Sequence, residues 1–527
     1  MRAFRPVFVA AASSTNYRPL SRAAYQALLP MKTTRNEWLF FGWACCLKLG
    51  LAWLIHPGFG SGAATSGGAF AVRGGDTFSY LDPIENLFRY GTYAQDLGRL
   101  ETYAGRMPDY GIVYGALRLV LGPGGAANGV VLLQLLLSLY ALYCLGRLAQ
   151  AATQRRAAFQ CTVLLYAANT FTTVFDIRLL TESFAISALI IGVYAFCQAQ
   201  RQPSAGRLLG AGGWLAWLIF LRPFLAPVLG LVAGWYIGRA WLSGSGRPPA
   251  RLARAVCRAS LLLLPFLMAD AAWIARNWPW YRALVPLQSN TWAGYKNAPA
   301  LIELNGFMGA IGEEHAWWTA GSDMAWFYKP LAEPAPNFRG EAGKLAPPAY
   351  TYDSLLLVRR YLAVAQDSML APVTRAQAEA RATRALRAYR QAYQQLRPGR
   401  AFLVVPLQLA YRLVLAHPGD YLFPQPFAQL PPWQKGLKML VHFWYLLLVG
   451  LGMAGTLLVG WRPRFVALFV KAVPLYLIGL FCFVLHLVDA RYFAIAYPFV
   501  IVSAVNLLLI AGEKVRKRGA AASRAAG

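Results

Sequence analysis

Charge is scarce in this chain: 14% of its 527 residues are Asp, Glu, Lys or Arg, and only 22 are acidic. A soluble domain carries about 25% charged residues, so a chain this poor in them is not composed for water on all sides. Cysteine is scarce too. All seven (Cys45, Cys46, Cys144, Cys161, Cys197, Cys257, Cys482) fall in or beside apolar runs. None lies in a predicted outer loop, so no disulfide framework is implied. No CxxC pair or Cys/His cluster suggests zinc. No internal repeat and no pair of symmetric halves is visible, which counts against a repeat array or an inverted-repeat transporter.

What is abundant is apolar surface. Hydrophobic residues make up 57% of the chain, and the mean hydropathy is +0.40. The net charge of +29 comes from 51 basic residues. They are parcelled between apolar runs, the pattern of loops that set membrane topology rather than of a nucleic-acid surface. A spanning helix needs about 20 mostly apolar residues. Such spans are predicted near 38–56, 128–149, 158–175, 183–199, 208–222, 224–242, 257–275, 437–460, 465–485 and 492–511, about ten within a range of 9–13. The pair divided at Arg222-Pro223 reads either as two short spans or as one span with a proline-broken end.

With this set of spans, Arg147/Arg155/Arg156, Arg201/Arg207, Arg239 to Arg258, Arg462/Arg464 and the tail from Lys514 to Arg518 share one side with the basic N-terminus. That side is expected to be the cytoplasm, with both termini in it. Glu37 and Glu513 fall inside, Asp270 falls within a span, and every other acid is assigned outside. The expectation is an all-α polytopic protein of a cell inner (plasma) membrane. It has a 1–37 tail, a 38–275 membrane module with an outer loop at 57–127, a large outer (periplasmic) region at 276–436, spans over 437–511 and a basic tail at 512–527. Residues 1–30 differ in composition from the rest and lack a cleavage site, and Met31 before Lys32-Thr33-Thr34-Arg35 reads as a natural start.

The two outer regions are too long for plain connections. The second is rich in Trp, Gly and Pro (Trp292, Trp317, Trp318, Trp326; Pro330 to Pro348), then carries helical patterns at 353–365 and 374–396 and a short apolar stretch at 401–416 that suits an interfacial helix. The first carries Gly74-Gly75-Asp76 followed by a helical pattern in which Tyr80, Ile84, Leu87 and Phe88 share a face. Asp76 stands at the start of that helix. It reads either as an N-cap, worth about 1 kcal/mol, or as a working carboxylate. Asp82 and Glu85 read more simply as a solvated or Arg-paired face.

Further on, Glu101, Arg106, Asp109 and Tyr110 precede an amphipathic stretch at 112–121. Single cations recur at outer helix ends: Arg222 before Pro223, Arg276 before Asn277, and Arg491 before Tyr492, with His486 and Asp489 nearby. Together they place cations at one membrane depth, as an anionic lipid headgroup requires. Asp270, inside a span, calls for a cationic partner, expected to be Arg222 or Arg276. Glu182 begins a span, where the helix dipole favours an acid. Lys48 and Lys471, also inside spans, are expected to face the protein interior.

Read in order, these segments resemble the GT-C membrane glycosyltransferases, in particular bacterial proteins of the dolichyl-phosphate-mannose protein mannosyltransferase and aminoarabinose transferase type (glycosyltransferase family 39-like). The likeness rests on the run from Gly75-Asp76 to Gly91, on Arg106-Met107-Pro108-Asp109-Tyr110, and on Leu180-Thr181-Glu182-Ser183, Leu221-Arg222-Pro223, Arg276-Asn277 and Ala490-Arg491-Tyr492. It covers 38–280 well, the last two spans loosely, and not 300–430. Asp109-Tyr110-Gly111 departs from the usual residues there, and Asp82-Pro83 is expected to interrupt the first helix.

The resemblance implies a GT-C fold and an inverting transfer of a sugar from a polyprenyl-phosphate donor to a hydroxyl or amine of a glycan, lipid or protein acceptor. It implies Asp76 as catalytic base. Arg106, Arg222, Arg276 and Arg491 would meet the donor phosphate. Tyr80, Glu85, Glu101, Asp109, Glu182, His486 and Tyr492 would line the cavity or the acceptor side. No cofactor is required and no metal ligand is assigned, although Asp76 with Glu182 leaves room for a divalent metal. The bilayer is a partner and nucleic acid is not. Two rivals from other classes are a lipid-linked sugar flippase or transporter, and a non-catalytic envelope assembly protein that docks through 276–436.

Overall fold

The computed structural model describes residues 34–56, 70–74, 76–98, 102–242, 248–287, 299–312, 327, 351–415, 423, 425–459 and 465–526. The expectations placed on residues 1–30, on Glu101, on Trp292, Trp317, Trp318 and Trp326 and on Pro330 to Pro348 fall outside them. Among the described residues the regular structure is helical, apart from one isolated bridge between Val72 and Arg178.

Helix α1 (Arg35–Leu54) starts at a capping box: Glu37 N–H donates to Thr34 Oγ1, and Thr34 N–H to the Glu37 carboxylate. Helix α2 (Thr77–Tyr90) runs straight through Pro83, so Asp82-Pro83 does not interrupt it. Its expected apolar face is buried only in its first half, at Tyr80 and Ile84, while Leu87 and Phe88 are exposed.

Helix α3 (Asp109–Thr153) has 45 residues, about 68 Å at 1.5 Å per residue, against about 30 Å of hydrocarbon. It bends at Gly122, whose φ of 71° and ψ of 172° lie outside the helical region, just before Pro123. The bend separates the amphipathic stretch from the apolar span. The span expected at 158–175 is instead two pieces, α4 (Arg156–Ala167) and α5 (Thr170–Asp176), because Asn169 accepts from Thr172 N–H and starts a new helix. Next come α6 (Thr181–Arg201) and α7 (Ala205–Leu221). A 3₁₀ turn at Pro223–Leu225 follows, then α8 (Ala226–Leu242) and α9 (Pro248–Tyr281), so Arg222-Pro223 divides two helices.

Helices α10 (Pro299–Ile311), α11 (Tyr352–Gln366) and α12 (Pro372–Leu396) form a second, smaller core around Leu304, Phe307, Val358, Leu362 and Leu386. Glu303 bridges Arg387 at 2.8 Å and Arg390 at 2.9 Å there. The patterns at 353–365 and 374–396 anticipated α11 and α12, but nothing pointed to α10. Helix α13 (Val405–Val414) buries Val405, Leu409 and Leu413 in the main core and leaves Phe402, Leu407 and Tyr411 exposed around it.

The chain closes with α14 (Pro432–Leu458), α15 (Phe465–Ile478) and α16 (Ala490–Ala526). Gly452 and Gly455 of α14 sit against the Val500 and Ser503 carbonyls of α16, an approach that leaves no room for a Cβ.

Among the described residues, eight helical segments rather than the expected ten or so are long and apolar enough to cross a membrane: α1, α3, α6, Pro223–Trp241, the greater part of α9, α14, Phe465–Val484 and the first 32 residues of α16. α7, at 17 residues, is shorter. Exposed Trp38 and Trp43 on α1, Leu264 and Leu267 on α9, and Leu440 and Phe443 on α14 form apolar rows that water would not tolerate. Over the described residues the chain is all-helical, and it is of multi-pass membrane type.

Ion pairs gather at both ends of the bundle and at one point between. Glu37 meets Arg147 (3.5 Å) and Arg155 meets Glu513 (2.8 Å), all residues assigned to the basic side. Asp76, Glu182, Arg222 and Arg491, all assigned to the other side, meet one another. Between them lies a pair within the core: Lys48 Nζ is 2.9 Å from Asp176 Oδ2, with side chains 1% and 4% exposed. Asp176 is therefore interior rather than among the outer acids, because the break at Asn169 carries it inward. Lys471 donates to Val459 O at 2.8 Å.

Removing one member of the core pair strands the other charge. Lys48→Leu should lower stability by about 3–5 kcal/mol, and Lys48→Leu with Asp176→Leu together by much less. Thermal unfolding of the purified variants in one detergent checks the pair, and equal losses in both would contradict it.

Candidate active site

The site is built on the turn 177–180 between α5 and α6. Asp176 accepts from Lys48 and from Ser138 Oγ (2.9 Å) and Ser183 Oγ (2.6 Å), while Lys48 also donates to Thr173 Oγ1 (2.9 Å). The Gln134 side-chain amide lies 2.8 Å from Arg178 O and 3.1 Å from Asp176 O, and Gln134 itself accepts from Tyr110 OH at 3.0 Å. The turn thus has few unpaired backbone groups left to move.

Two carboxylates are hung from that turn. Val72 N–H donates to Ile177 O and Leu179 N–H to Val72 O, each at 2.9 Å, and Thr77 Oγ1 donates to Leu179 O at 3.0 Å. These bonds fix the start of α2 and with it Asp76. Ser183, held by Asp176, fixes the start of α6 and with it Glu182. Asp76 occupies the N-cap position of α2, just before Thr77, but makes no side-chain cap. Thr77 Oγ1 also accepts the Gly74 N–H, at 2.8 Å.

The Asp76 carboxylate turns to Arg491, whose Nη1 is 2.6 Å from Oδ2. The other edge of that guanidinium meets Asp489 through Nε at 2.7 Å, and Asp489 also accepts the Arg491 N–H at 2.9 Å. Glu182, fully buried, lies 3.8 Å from Arg491 Nη1 and in direct contact with Arg222. Arg106 lies over the Tyr80 ring at 4.6 Å. Tyr492 stacks on Phe481 at 4.1 Å, with Arg222 above its face at 5.9 Å. The cluster holds three acids (Asp76, Glu182, Asp489) and three arginines (Arg106, Arg222, Arg491), and their formal charges cancel.

Burial alone would raise the Asp76 carboxyl. The Arg491 hydrogen bond and charge, with Arg106 and Arg222 behind them, outweigh it and hold the group below its ordinary 3.8.

Seven of the expected residues are thus brought together: Asp76, Tyr80, Arg106, Glu182, Arg222, Arg491 and Tyr492. Others stand apart. Arg276 is spent on the Tyr93 and Tyr103 carbonyls and on Asn277 Oδ1, and ties Tyr93 and Tyr103 to α9. Glu85 accepts from Tyr114 OH at 2.8 Å and pairs with Arg118 at 2.9 Å. His486 takes a positive φ of 49° and packs under Gly309 of α10. Asp270 pairs with neither Arg222 nor Arg276. Its Oδ1 accepts the Leu287 N–H at 2.9 Å, while Trp273 Nε1 donates to Leu287 O at 3.0 Å, so the two side chains clamp one residue where the chain folds back.

Asp109 lines a cavity of about 920 Å³ between α2, α3, α7 and α9, beside the arginine cluster but not containing it. Asp176, Gln134 and Ser183 were not expected as supports. The signal available for Asp176 was Lys48, a cation mid-span that needs a buried acid. Among the described residues no group of three or more His, Cys, Asp and Glu side chains is arranged to hold a metal ion. No family model matches the chain, and no curated protein matches it in sequence.

Because the Asp76 value is lowered on folding, its contribution to stability is present above the unfolded value and is lost as pH falls through the folded one. Infrared difference spectra of wild type against Asp76→Asn should place its titration below pH 3.8. Arg491→Gln, which leaves burial in place, should move it upward. A titration unmoved by Arg491→Gln would remove that arginine as the cause.

Proposed function

We propose that the protein is an integral membrane glycosyltransferase that moves a sugar from a polyprenyl-phosphate donor to an acceptor hydroxyl or amine, with inversion, at the end of the bundle where Asp76 lies. The observation that carries this reading is the Asp76 carboxylate. It leaves its cap unmade and faces Arg491 in a cluster completed by Arg222 and Arg106. A helix start that needed only a cap would use the side chain as one. The order of the motifs along the chain supports the same reading by its resemblance to GT-C enzymes.

In this mechanism the acceptor oxygen or nitrogen attacks the anomeric carbon and gives its proton to Asp76. The bond from that carbon to the phosphate oxygen breaks, and the lipid phosphate leaves with the electron pair. Arg491 and Arg222 meet the growing negative charge. In the free protein the arginines are already balanced by Asp76, Glu182 and Asp489. A donor phosphate therefore competes with Asp76 for Arg491. As Arg491 turns to the phosphate, burial is left to act on Asp76 and its basicity rises, so the base strengthens when the donor is present. The lipid tail lies between spans, and no metal is needed for a leaving group held by arginines.

The rival reading is a lipid-linked sugar flippase, favoured by the large apolar cavity among the spans. Purified Asp76→Asn separates the two. It should lose about 10²–10⁴-fold in transfer, the usual worth of a general base, while still binding the lipid donor. Full transfer activity in Asp76→Asn would overturn the assignment. Movement of the donor across vesicles with no glycosylated product would favour the rival.

A further inference from the structure

The cavity of about 920 Å³ has a polar end that does not suit an anion. Its walls are apolar and aromatic, with Trp217 and Phe220 from α7 and Trp273 and Trp280 from α9. At its edge Asp109 Oδ2 is buried with no hydrogen-bond partner. A buried carboxylate oxygen left unpaired is unfavourable, and native proteins seldom keep one without a use. Of the described residues lining the cavity, Arg276 carries the only cationic side chain, and both its terminal nitrogens are engaged by carbonyl or amide oxygens. A phosphate placed here would meet the Asp109 carboxyl and a guanidinium whose terminal nitrogens already serve Tyr93, Tyr103 and Asn277.

We propose that this cavity binds a single-chain amphiphile whose head donates a hydrogen bond, an alcohol or an amine, to Asp109. Its chain lies against the tryptophans of α7 and α9. A volume near the upper end of the usual ligand-pocket range admits such a molecule.

The pocket stands close to the arginine site. Arg106 and Arg222 act electrostatically on both Asp109 and Asp76. Tyr110, the neighbour of Asp109, packs on Tyr80, one turn along α2 from Asp76, at 5.6 Å. On the glycosyltransferase reading, on which this last step rests, the amphiphile is the acceptor: its hydroxyl or amine enters beside Asp109, and the lipid phosphate is directed to the arginines. The two substrates are then sorted by head group, hydrogen-bond donor to Asp109 and phosphate to the arginines.

The test is photolabelling of the full chain in nanodiscs. Three probes with the same diazirine-bearing twelve-carbon chain are used, an alcohol, a primary amine and a monoalkyl phosphate, and labelled peptides are mapped by mass spectrometry. The alcohol and amine should label the peptides holding Ile112, Trp217 and Trp273 at least about tenfold more than the phosphate, the scale of a hydrogen bond to a charged group. Asp109→Leu should reduce both to the level of the phosphate.

Gly213→Leu gives a second arm that spares Asp109. Gly213 lines the cavity, and a Cβ there meets nothing within 4 Å, so the new side chain fills the cavity and should block every probe. Equal labelling by the phosphate would overturn the proposal, as would labelling indifferent to Asp109→Leu or to Gly213→Leu. No sugar donor and no turnover enter the measurement. A negative result therefore leaves transfer at Asp76 standing, and loss of transfer in Asp76→Asn leaves the labelling as it was.

Discussion

The buried pair of Lys48 and Asp176 constrains most of what surrounds it. Inside an apolar bundle neither charge can stay unpaired, and each must also have its remaining hydrogen-bond capacity filled. Ser138, Ser183 and Thr173 do this at 2.6–2.9 Å, which commits α1, α3, α5 and α6 to one arrangement. The turn that follows Asp176 then has fixed ends, and Gln134 holds its carbonyls. Asp76 reaches the site through Thr77 and Val72 on that turn, and Glu182 through Ser183. Thus a pair in the middle of the bundle determines where two carboxylates stand at its edge. Such networks gain more from completeness than from any one bond.

The same logic explains why the arginines at the site are balanced. A cluster of unpaired guanidinium groups would repel itself and hold anions indiscriminately. With Asp489 on one edge of Arg491 and Asp76 on the other, the guanidinium keeps its orientation without a ligand. On the proposed reading, the exchange of Asp76 for a phosphate then links donor binding to the strength of the base. Pre-set orientation is the larger part of what such a site contributes to a transition state.

Hydropathy is a property of the chain, and it was legible in large part: of about ten expected spans, eight are found among the described residues, 158–175 being broken and 208–222 short. These spans and the position of Asp76 at the head of a helix follow from one-dimensional patterns. Rotation around the bundle is not such a property. Arg276 and Arg222 both sit near the C-terminal ends of helices, yet one holds the Tyr93 and Tyr103 carbonyls and the other joins Glu182. Asp270 points to a returning backbone for the same reason. The break at Asn169 was hidden because both of its flanks are apolar, and it alone moved Asp176 from the outer acids to the core. Asp76 read as an N-cap or a working carboxylate from sequence; that its carboxylate makes no cap and turns to Arg491, 415 positions along the chain, needs three dimensions to be seen.

Asp76 and Asp109 feel the same two arginines, Arg106 and Arg222, yet the fold treats them in opposite ways. Asp76 is given a guanidinium at 2.6 Å, and Asp109 keeps an oxygen with none. If both acids existed only to neutralise the arginines, each would be paired, since an ion pair in an apolar setting is worth far more than an orphaned charge. The asymmetry instead sets two kinds of group a short distance apart, guanidinium donors where the arginines converge and an unpartnered carboxyl oxygen at the mouth of the apolar cavity. A lipid phosphate suits the first, and a hydroxyl- or amine-bearing amphiphile the second. On the glycosyltransferase reading that is the separation a single displacement needs, with the attacking acceptor and the leaving phosphate on opposite sides of the anomeric carbon.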